Sequence, residues 1–278
     1  MQTITGYAES HTSLRGIDIH YLEWGDPGAP PMVLLHGLTG HAHIWDHMAP
    51  ALAGRYHVIA PDQRGHGDSG RAESYTTAEF VDDLAAFAAH AALAPFALMG
   101  LSMGGHNAMA FAAAHPDMVT HLIAIDIPPR LDLRTSPNWD AMERLAAGGH
   151  RPFSTFDEAV EAAREGNPTA PQENLEYRTK WNLNALPNGG LILKYDPRAP
   201  VLWDPEDLWP RLASIDAPML LVRGGKTLVL PRATAERMSS EIHDCELVEV
   251  PDSGHSVPTD RPGPLQELVL DWLTRRGA

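Results

Sequence analysis

The chain has 278 residues, 44% of them hydrophobic, and a formal net charge of −15. That length buries a large core, as one domain with an insertion or as two small domains, and the acidic balance leaves no basic face for nucleic acid. The single Cys245 excludes an internal disulfide, no stretch reaches the ~18–20 apolar residues of a membrane span, and the first residues carry no basic or apolar leader, so a cytoplasmic protein without membrane contact is expected.

Ile17 to Trp24 alternates with period two and reads as a strand, followed by a Gly/Pro turn cluster from Gly25 to Pro31. Met32 to Leu35 and His57 to Ala60 are short continuous apolar runs, the mark of strands buried on both faces. Thr76 or Thr77 caps a helix running to about Leu93, with Glu79 at capping-box distance from Thr76. Phe96 to Leu101 and Val119 to Ile125 read as strands on either side of an Ala-rich helical stretch. Residues 130–212 break the rhythm. They are rich in proline and hold Trp139, Trp181, Trp203 and Trp209, with helical pieces over Asn138 to Ala147, Phe156 to Glu165 and Gln172 to Trp181. This predicts a helical cap with irregular links rather than more sheet. The alternation then resumes with a strand at Pro218 to Val222, a helix opened by Pro231, a strand at Leu247 to Val250 and an amphipathic helix from Pro264 to Arg275. Strands alternating with helices imply a mostly parallel sheet flanked by helices, with the N-terminal strand or strands antiparallel. The expected division is a core of 1–129 and 213–278 and a cap of 130–212.

Gly100-Leu101-Ser102-Met103-Gly104 falls between a strand and a helix, the context of a nucleophile elbow. So sharp a turn strains the serine backbone and needs small residues two places either side. The following helix N-terminus offers unpaired N–H groups where an oxyanion would form. A serine needs a base, and the base needs an orienting acid. His255, in Asp252-Ser253-Gly254-His255 after the last strand, stands at the same carboxyl edge of the sheet and is the expected base.

With these motifs, and with Leu35-His36-Gly37-Leu38 and Pro61-Asp62-Gln63-Arg64-Gly65-His66-Gly67-Asp68-Ser69, the chain resembles the α/β-hydrolase fold family over essentially its whole length. The resemblance implies oxyanion donors at the backbone N–H groups of Leu38 and Met103, and a structural role for Arg64 and His66. It also exposes a departure. The family usually carries an Asp after the strand before the last, and here Arg223 to Leu230 has Lys226, Thr227 and Leu228 at that place and no carboxylate. Asp126, at the end of the strand after the elbow, is the expected substitute, with Asp252 the rival. The string Ala124-Ile125-Asp126, joined to the acid-less Arg223-Gly224-Gly225, is similar to the (acetamidomethylene)succinate hydrolases, which cleave an enamide and recognise carboxylates with cap arginines. Arg144 falls at a matching cap position. The second such arginine would lie near Asn167 and is missing, with Arg164 close but out of register.

The expectation is a serine hydrolase with a Ser102-His255-Asp126 triad. It would cleave a small, apolar or aromatic carboxylic ester or lactone, with an amide or enamide as second choice. Trp139, Arg144 and Trp181 are the candidate substrate-binding residues. No cofactor is expected, and no metal, since no carboxylate or cysteine cluster joins His41, His43 and His47. A monomer or homodimer, and a hydrolase-fold protein that binds a ligand without turnover, remain open.

Overall fold

The computed structural model describes residues 6–93 and 95–277. Eight strands build one sheet. They are Ala8–Leu14 (β1), Ile17–Trp24 (β2), Pro31–Leu35 (β3), His57–Pro61 (β4), Phe96–Leu101 (β5), Val119–Ile125 (β6), Met219–Gly224 (β7) and Cys245–Val250 (β8), in the spatial order β1-β2-β4-β3-β5-β6-β7-β8. β2 pairs antiparallel with both β1 and β4, and every pairing from β4 to β8 is parallel. The parallel strands therefore end at one edge, and the loops that follow them share it.

Alternation along the buried strands splits the core in two. Val33, Leu35, Leu98, Leu122, Ala124 and Leu221 face one side. Met32, Leu34, Met99, Ile123, Ile125 and Val222 face the other. The first side is covered by Thr77–His90 (α1), Met103–Ala114 (α2) and, beyond β7, the helix Arg232–Glu241. α1 begins as the capping box predicts, with Thr76 Oγ1 accepting from Glu79 N. The second side is covered by Pro262–Arg275, whose Leu265, Val269, Trp272 and Leu273 are spaced to line one helix face. α2 is buried all round from Met103 to Ala112, which explains why its sequence shows no polar face. Cys245 opens β8, and burial pushes its thiol up to about 11.

The excursion between β6 and β7 carries Trp139–Gly148 (α3), Phe156–Gly166 (α4) and Gln172–Trp181 (α5), close to the helices read from the sequence. It also contains a feature that differs from that reading. Leu183–Ala185 pairs antiparallel with Leu191–Leu193, and Phe153 bridges to Leu191. Three-residue strands around Asn188-Gly189-Gly190 are too short to show period-two alternation. β1 is likewise visible only through its pairing, because its burial pattern is mostly exposed. Among the described residues no helix is long and apolar enough to cross a membrane.

Candidate active site

Ser102 sits between β5 and α2 at φ 54° and ψ −121°, a backbone conformation that costs about 1–3 kcal/mol for a residue with a side chain. The surroundings impose it. Ser102 N donates to Ile125 O at 2.8 Å, and Ser102 O accepts from His106 N at 2.9 Å. A Cβ on Gly100 would lie 2.2 Å from Gly104 O, and one on Gly104 would lie 2.3 Å from Leu35 O, so larger residues cannot occupy either place without moving the backbone.

His255 arrives on the loop after β8, which is stitched to the loop after β7. Gly225 N donates to Val250 O, and Lys226 N donates to Ser253 O at 2.7 Å. The buried Asp260 carboxylate accepts from Gly254 N at 2.7 Å and fixes the residue before His255. His255 Nε2 lies 2.9 Å from Ser102 Oγ and Nδ1 lies 2.7 Å from Asp126 Oδ2. Asp126 is fully buried at φ 53°. Its Oδ1 accepts from Gly224 N at 3.0 Å and its Oδ2 from Thr227 Oγ1 at 2.6 Å. With Asp126 Oδ2 accepting at Nδ1, the hydrogen-bond pattern assigns the ring proton there and leaves Nε2 to accept from the serine. Asp252 takes no part, being exposed and ion-paired with Lys226 at 2.7 Å. Thr227 thus stands where a carboxylate was missed in the sequence, and its hydroxyl faces the carboxylate that β6 supplies instead.

The N–H groups of Leu38 and Met103 have no hydrogen-bond partner among the described residues. Met103 is the first residue of α2, where a helix leaves its donors unpaired. Leu38 belongs to a turn closed by Gly40 N to Gly37 O at 2.9 Å, and a Cβ on Gly37 would lie 3.2 Å from Ser102 Cβ, so this turn passes directly against the serine. The turn is braced from beneath. His36 Nδ1 donates to Gly37 O, His36 Nε2 accepts from Gln63 N, and Gln63 Nε2 donates to His36 O at 2.7 Å. Asn107 of α2 donates to Gln63 Oε1 and joins the two halves. Burial holds the His36 pKa below its ordinary value, as the neutral ring of this network requires. Asp62 accepts from Ala42 N, Asp68 N and His20 Nδ1. Burial opposes its charge, but these bonds and the nearby imidazoles hold its carboxyl well below the usual range. Arg64 pairs with Asp83 through two bonds of 2.6 and 2.8 Å, and His66, pushed down to about 3 by burial, donates to Arg64 O. Both are loop architecture.

A cavity of about 170 Å³ opens above Ser102, lined by Leu38, Thr39, His255, Asn167, Arg178 and Thr259 among others. A second, of about 230 Å³, adjoins it past Asn167 and Arg178 and has a mixed lining, apolar at Phe153, Ala159, Ala162, Ala163 and Leu193 and polar at Thr39, Thr179 and Asn182. α5 roofs both and is pinned from several sides. Arg178 O accepts from His41 Nε2 at 3.0 Å, Tyr177 OH donates to the buried Asp46 at 2.6 Å, Asn174 donates to Thr259 O, and Asn182 donates to Thr39 O.

Trp139, Arg144 and Trp181 are not brought to the Ser102 cavity. Trp139 lies half-buried on α3, and the exposed Arg144 lines a third opening with Ala141 and Leu145 that shares Phe153 and Leu193 with the second cavity. Trp181 stacks on His43 at 3.7 Å, so it clamps the end of α5 to the turn Ala42–Trp45. The lining residues from this segment are Gly166, Asn167 and Arg178. Composition draws the eye to tryptophan, but a strongly polar helix such as α5 gives no local sign of which residue faces the cavity.

The family model describing the α/β hydrolase fold matches residues 30–262. The chain is 31% identical over 266 residues to Esterase Rv0045c of Mycobacterium tuberculosis, covering 93% of this chain and 87% of that protein. It is 29% identical over 282 residues to the 2-(acetamidomethylene)succinate hydrolase of Mesorhizobium japonicum, covering 99% of this chain and 98% of that one. A crystal structure of E-2-(acetamidomethylene)succinate hydrolase superposes with a TM-score of 0.83 over 96% of this chain and 99% of that chain, at 24% identity, a likeness of fold.

Proposed function

The chain belongs to the α/β-hydrolase fold family, and from that premise we propose that it is a serine hydrolase that opens a small-molecule carboxylic ester or lactone through an acyl-enzyme. Ser102 Oγ attacks the carbonyl while His255 Nε2 takes its proton. Asp126 holds the imidazole in the required tautomer and stabilises the imidazolium that forms. The Leu38 and Met103 N–H groups receive the tetrahedral oxyanion, each such donor being worth about 3 kcal/mol in the transition state. His255 then protonates the leaving group and activates water against the acyl-enzyme. Residues 130–212 act as the cap that selects the substrate.

The observation that supports this most directly is the pair of contacts on one imidazole, 2.9 Å to Ser102 Oγ and 2.7 Å to Asp126 Oδ2, beside two unpaired N–H groups. A second reading, C–N bond hydrolysis, draws support from the near-full-length similarity to a 2-(acetamidomethylene)succinate hydrolase. A fluorophosphonate probe followed by peptide mapping tests the nucleophile, and stoichiometric labelling at Ser102 is expected. A protein that binds ligand without turnover would stay unlabelled. Initial rates on matched esters, lactones and N-acyl compounds then separate the two readings, and faster turnover of the N-acyl member of a matched pair would overturn the ester assignment.

A further inference from the structure

The acyl-transfer chemistry proposed at Ser102 leaves the Arg178 guanidinium without a task. Arg178 lines both the Ser102 cavity and the adjoining one. Its Nη1 donates to Asn167 Oδ1 at 2.5 Å and approaches Ser256 Oγ at 3.5 Å, and both partners are neutral. Asn167 Oδ1 also accepts from Ser256 Oγ at 2.7 Å, so the amide is locked in place. Asp260 is the carboxylate that Arg178 senses, yet it lies beyond ion-pair distance; its Oδ2 accepts from Gly254 N and Thr169 Oγ1, and its buried Oδ1 has no hydrogen-bond partner among the described residues. Among the described residues no carboxylate approaches the guanidinium within 4.0 Å, although most other arginines of this acidic chain have one. Burial lowers the Arg178 pKa from its ordinary value, with Asp260 opposing the shift, and the residue is half-buried, so its head group stays within reach of the cavity. The main chain beneath it is fixed by His41, so the group is held in place for a partner. Arg164, the other arginine near Asn167, is already occupied by Ala170 O and Gln172 Oε1.

We propose that Arg178 is the anchor for a carboxylate carried by the substrate, and that the side of the cavity past it lined by Phe153, Ala159, Ala162, Ala163 and Leu193 takes a hydrocarbon chain, so that the substrates are amphiphilic monocarboxylates bearing the scissile acyl bond. This rests on the reading of Ser102 as nucleophile only for the word substrate, since the anion site itself is a matter of binding. A guanidinium takes a carboxylate through two parallel N–H···O bonds, and a site built around it discriminates by charge and plane at once. The carboxylate can belong to the acyl side or to the leaving-group side of the bond, and the two are told apart by experiment.

Calorimetry with hexanoate against hexanamide reads the site without turnover. Wild type should bind hexanoate at least tenfold more tightly, Arg178→Met should remove that difference, and Arg178→Lys should keep part of it. Turnover supplies the second arm. kcat/KM is compared for 4-nitrophenyl hemiglutarate (acyl-side carboxylate) and 3-carboxyphenyl butanoate (leaving-group carboxylate), each against its neutral counterpart. One anionic ester should be favoured in wild type, and Arg178→Met should reduce that preference roughly a hundredfold, mainly through KM, the scale expected when one partner of a buried charge-assisted pair is removed. Equal binding of hexanoate and hexanamide by wild type would overturn the proposal. So would an unchanged anion preference in folded Arg178→Met. Selective hexanoate binding without any ester turnover would leave the anion site standing and overturn the hydrolase reading instead.

Discussion

The floor and the roof of the cavity above Ser102 are built on different principles. The floor is short-range and strained. Ser102 and Asp126 both hold positive φ at the ends of adjacent strands, and each N–H is tied to the neighbouring strand, Ser102 N to Ile125 O and Asp126 N to Val222 O. The roof is unstrained and long-range. Helix α5 has ordinary geometry and is positioned by side-chain bonds to loops more than 80 residues away in sequence, from Asn174, Tyr177 and His41. Geometry within a floor of this kind is fixed to tenths of an ångström, which suits bond-making. Attachment by a few separate bonds suits selection, because the roof can change its side chains without disturbing the sheet.

If this division is right, the largest single losses come from the floor and appear in kcat. Asp126→Asn should lower kcat by about 10³–10⁴, the scale of removing a triad acid, because the amide favours the wrong tautomer of the imidazole. Steady-state kinetics on a small acetyl ester checks it. A nearly fully active Asp126→Asn would show that another group orients His255.

Thr227 sharpens the point. Its hydroxyl shares Asp126 Oδ2 with His255 Nδ1. Thr227→Val should lower kcat about ten- to a hundredfold, the worth of a hydrogen bond to a buried charge, with Thr227→Ser restoring most of it. Because the Thr227 side chain reaches Asp126 Oδ2 beside the ring, Asp126→Asn combined with Thr227→Asp should recover activity relative to Asp126→Asn alone. Failure of that rescue would mean that the β7 position no longer reaches the ring.

The two regions were unequally legible. The strands apart from β1 and the two short ones at Leu183–Ala185 and Leu191–Leu193, the elbow, and the Ser102, His255 and Asp126 positions were readable because each has a local cause: a buried or alternating apolar run, a pair of small residues, a carboxylate at a strand end. The cap helices were placed within a residue or two by periodicity and prolines. Arg178 was not readable, since what distinguishes it is the absence of a carboxylate neighbour, which only the folded chain defines. Trp139 and Trp181 drew attention by type, yet Trp181 lies on His43 rather than on the cavity. Asp260 and Thr169, which tie the His255 loop to the roof, carry no motif at all.

The floor should also set the response to acid. Burial lowers the pKa values of His36 and His41 from their ordinary 6.5, His66 to about 3 and His106 to about 4. The folded values lie below the unfolded one, so below about pH 6.5 the unfolded chain takes up protons that the folded chain refuses. This stability is complete above about pH 6.5. It falls by about 1.4 kcal/mol per pH unit for each such histidine as pH drops, levelling off only below the folded value. Urea unfolding at pH 7, 6 and 5 checks the slope, and His106→Gln should flatten it by about one proton between pH 6 and 5. An unchanged slope in that variant would mean that His106 charges in the folded protein.

The smallest effects belong to the pins of the roof. Asn174→Ala removes the bond to Thr259 O, and Tyr177→Phe removes the 2.6 Å bond to Asp46, which still accepts from His43. Each loss should be worth about 0.5–1.5 kcal/mol, the net contribution of one such bond. Neither side chain lines the Ser102 cavity, so the change reaches the substrate only through the placement of α5. KM for long-chain substrates should therefore rise a few-fold in each variant, while kcat on an acetyl ester, which does not reach the roof, should stay within about twofold. The two pins sit on one rigid helix, so they should not act independently. With both gone, α5 keeps only the His41 and Asn182 bonds and its contact at Trp181, all toward its C-terminal half, and the KM effect of the double variant should exceed the product of the single effects. A double-mutant cycle that multiplies without surplus would mean that each pin adjusts only its own end of the helix, and that the roof moves in pieces. A fall in acetyl-ester kcat would mean that the roof also shapes the floor, and the division between the two regions would not hold.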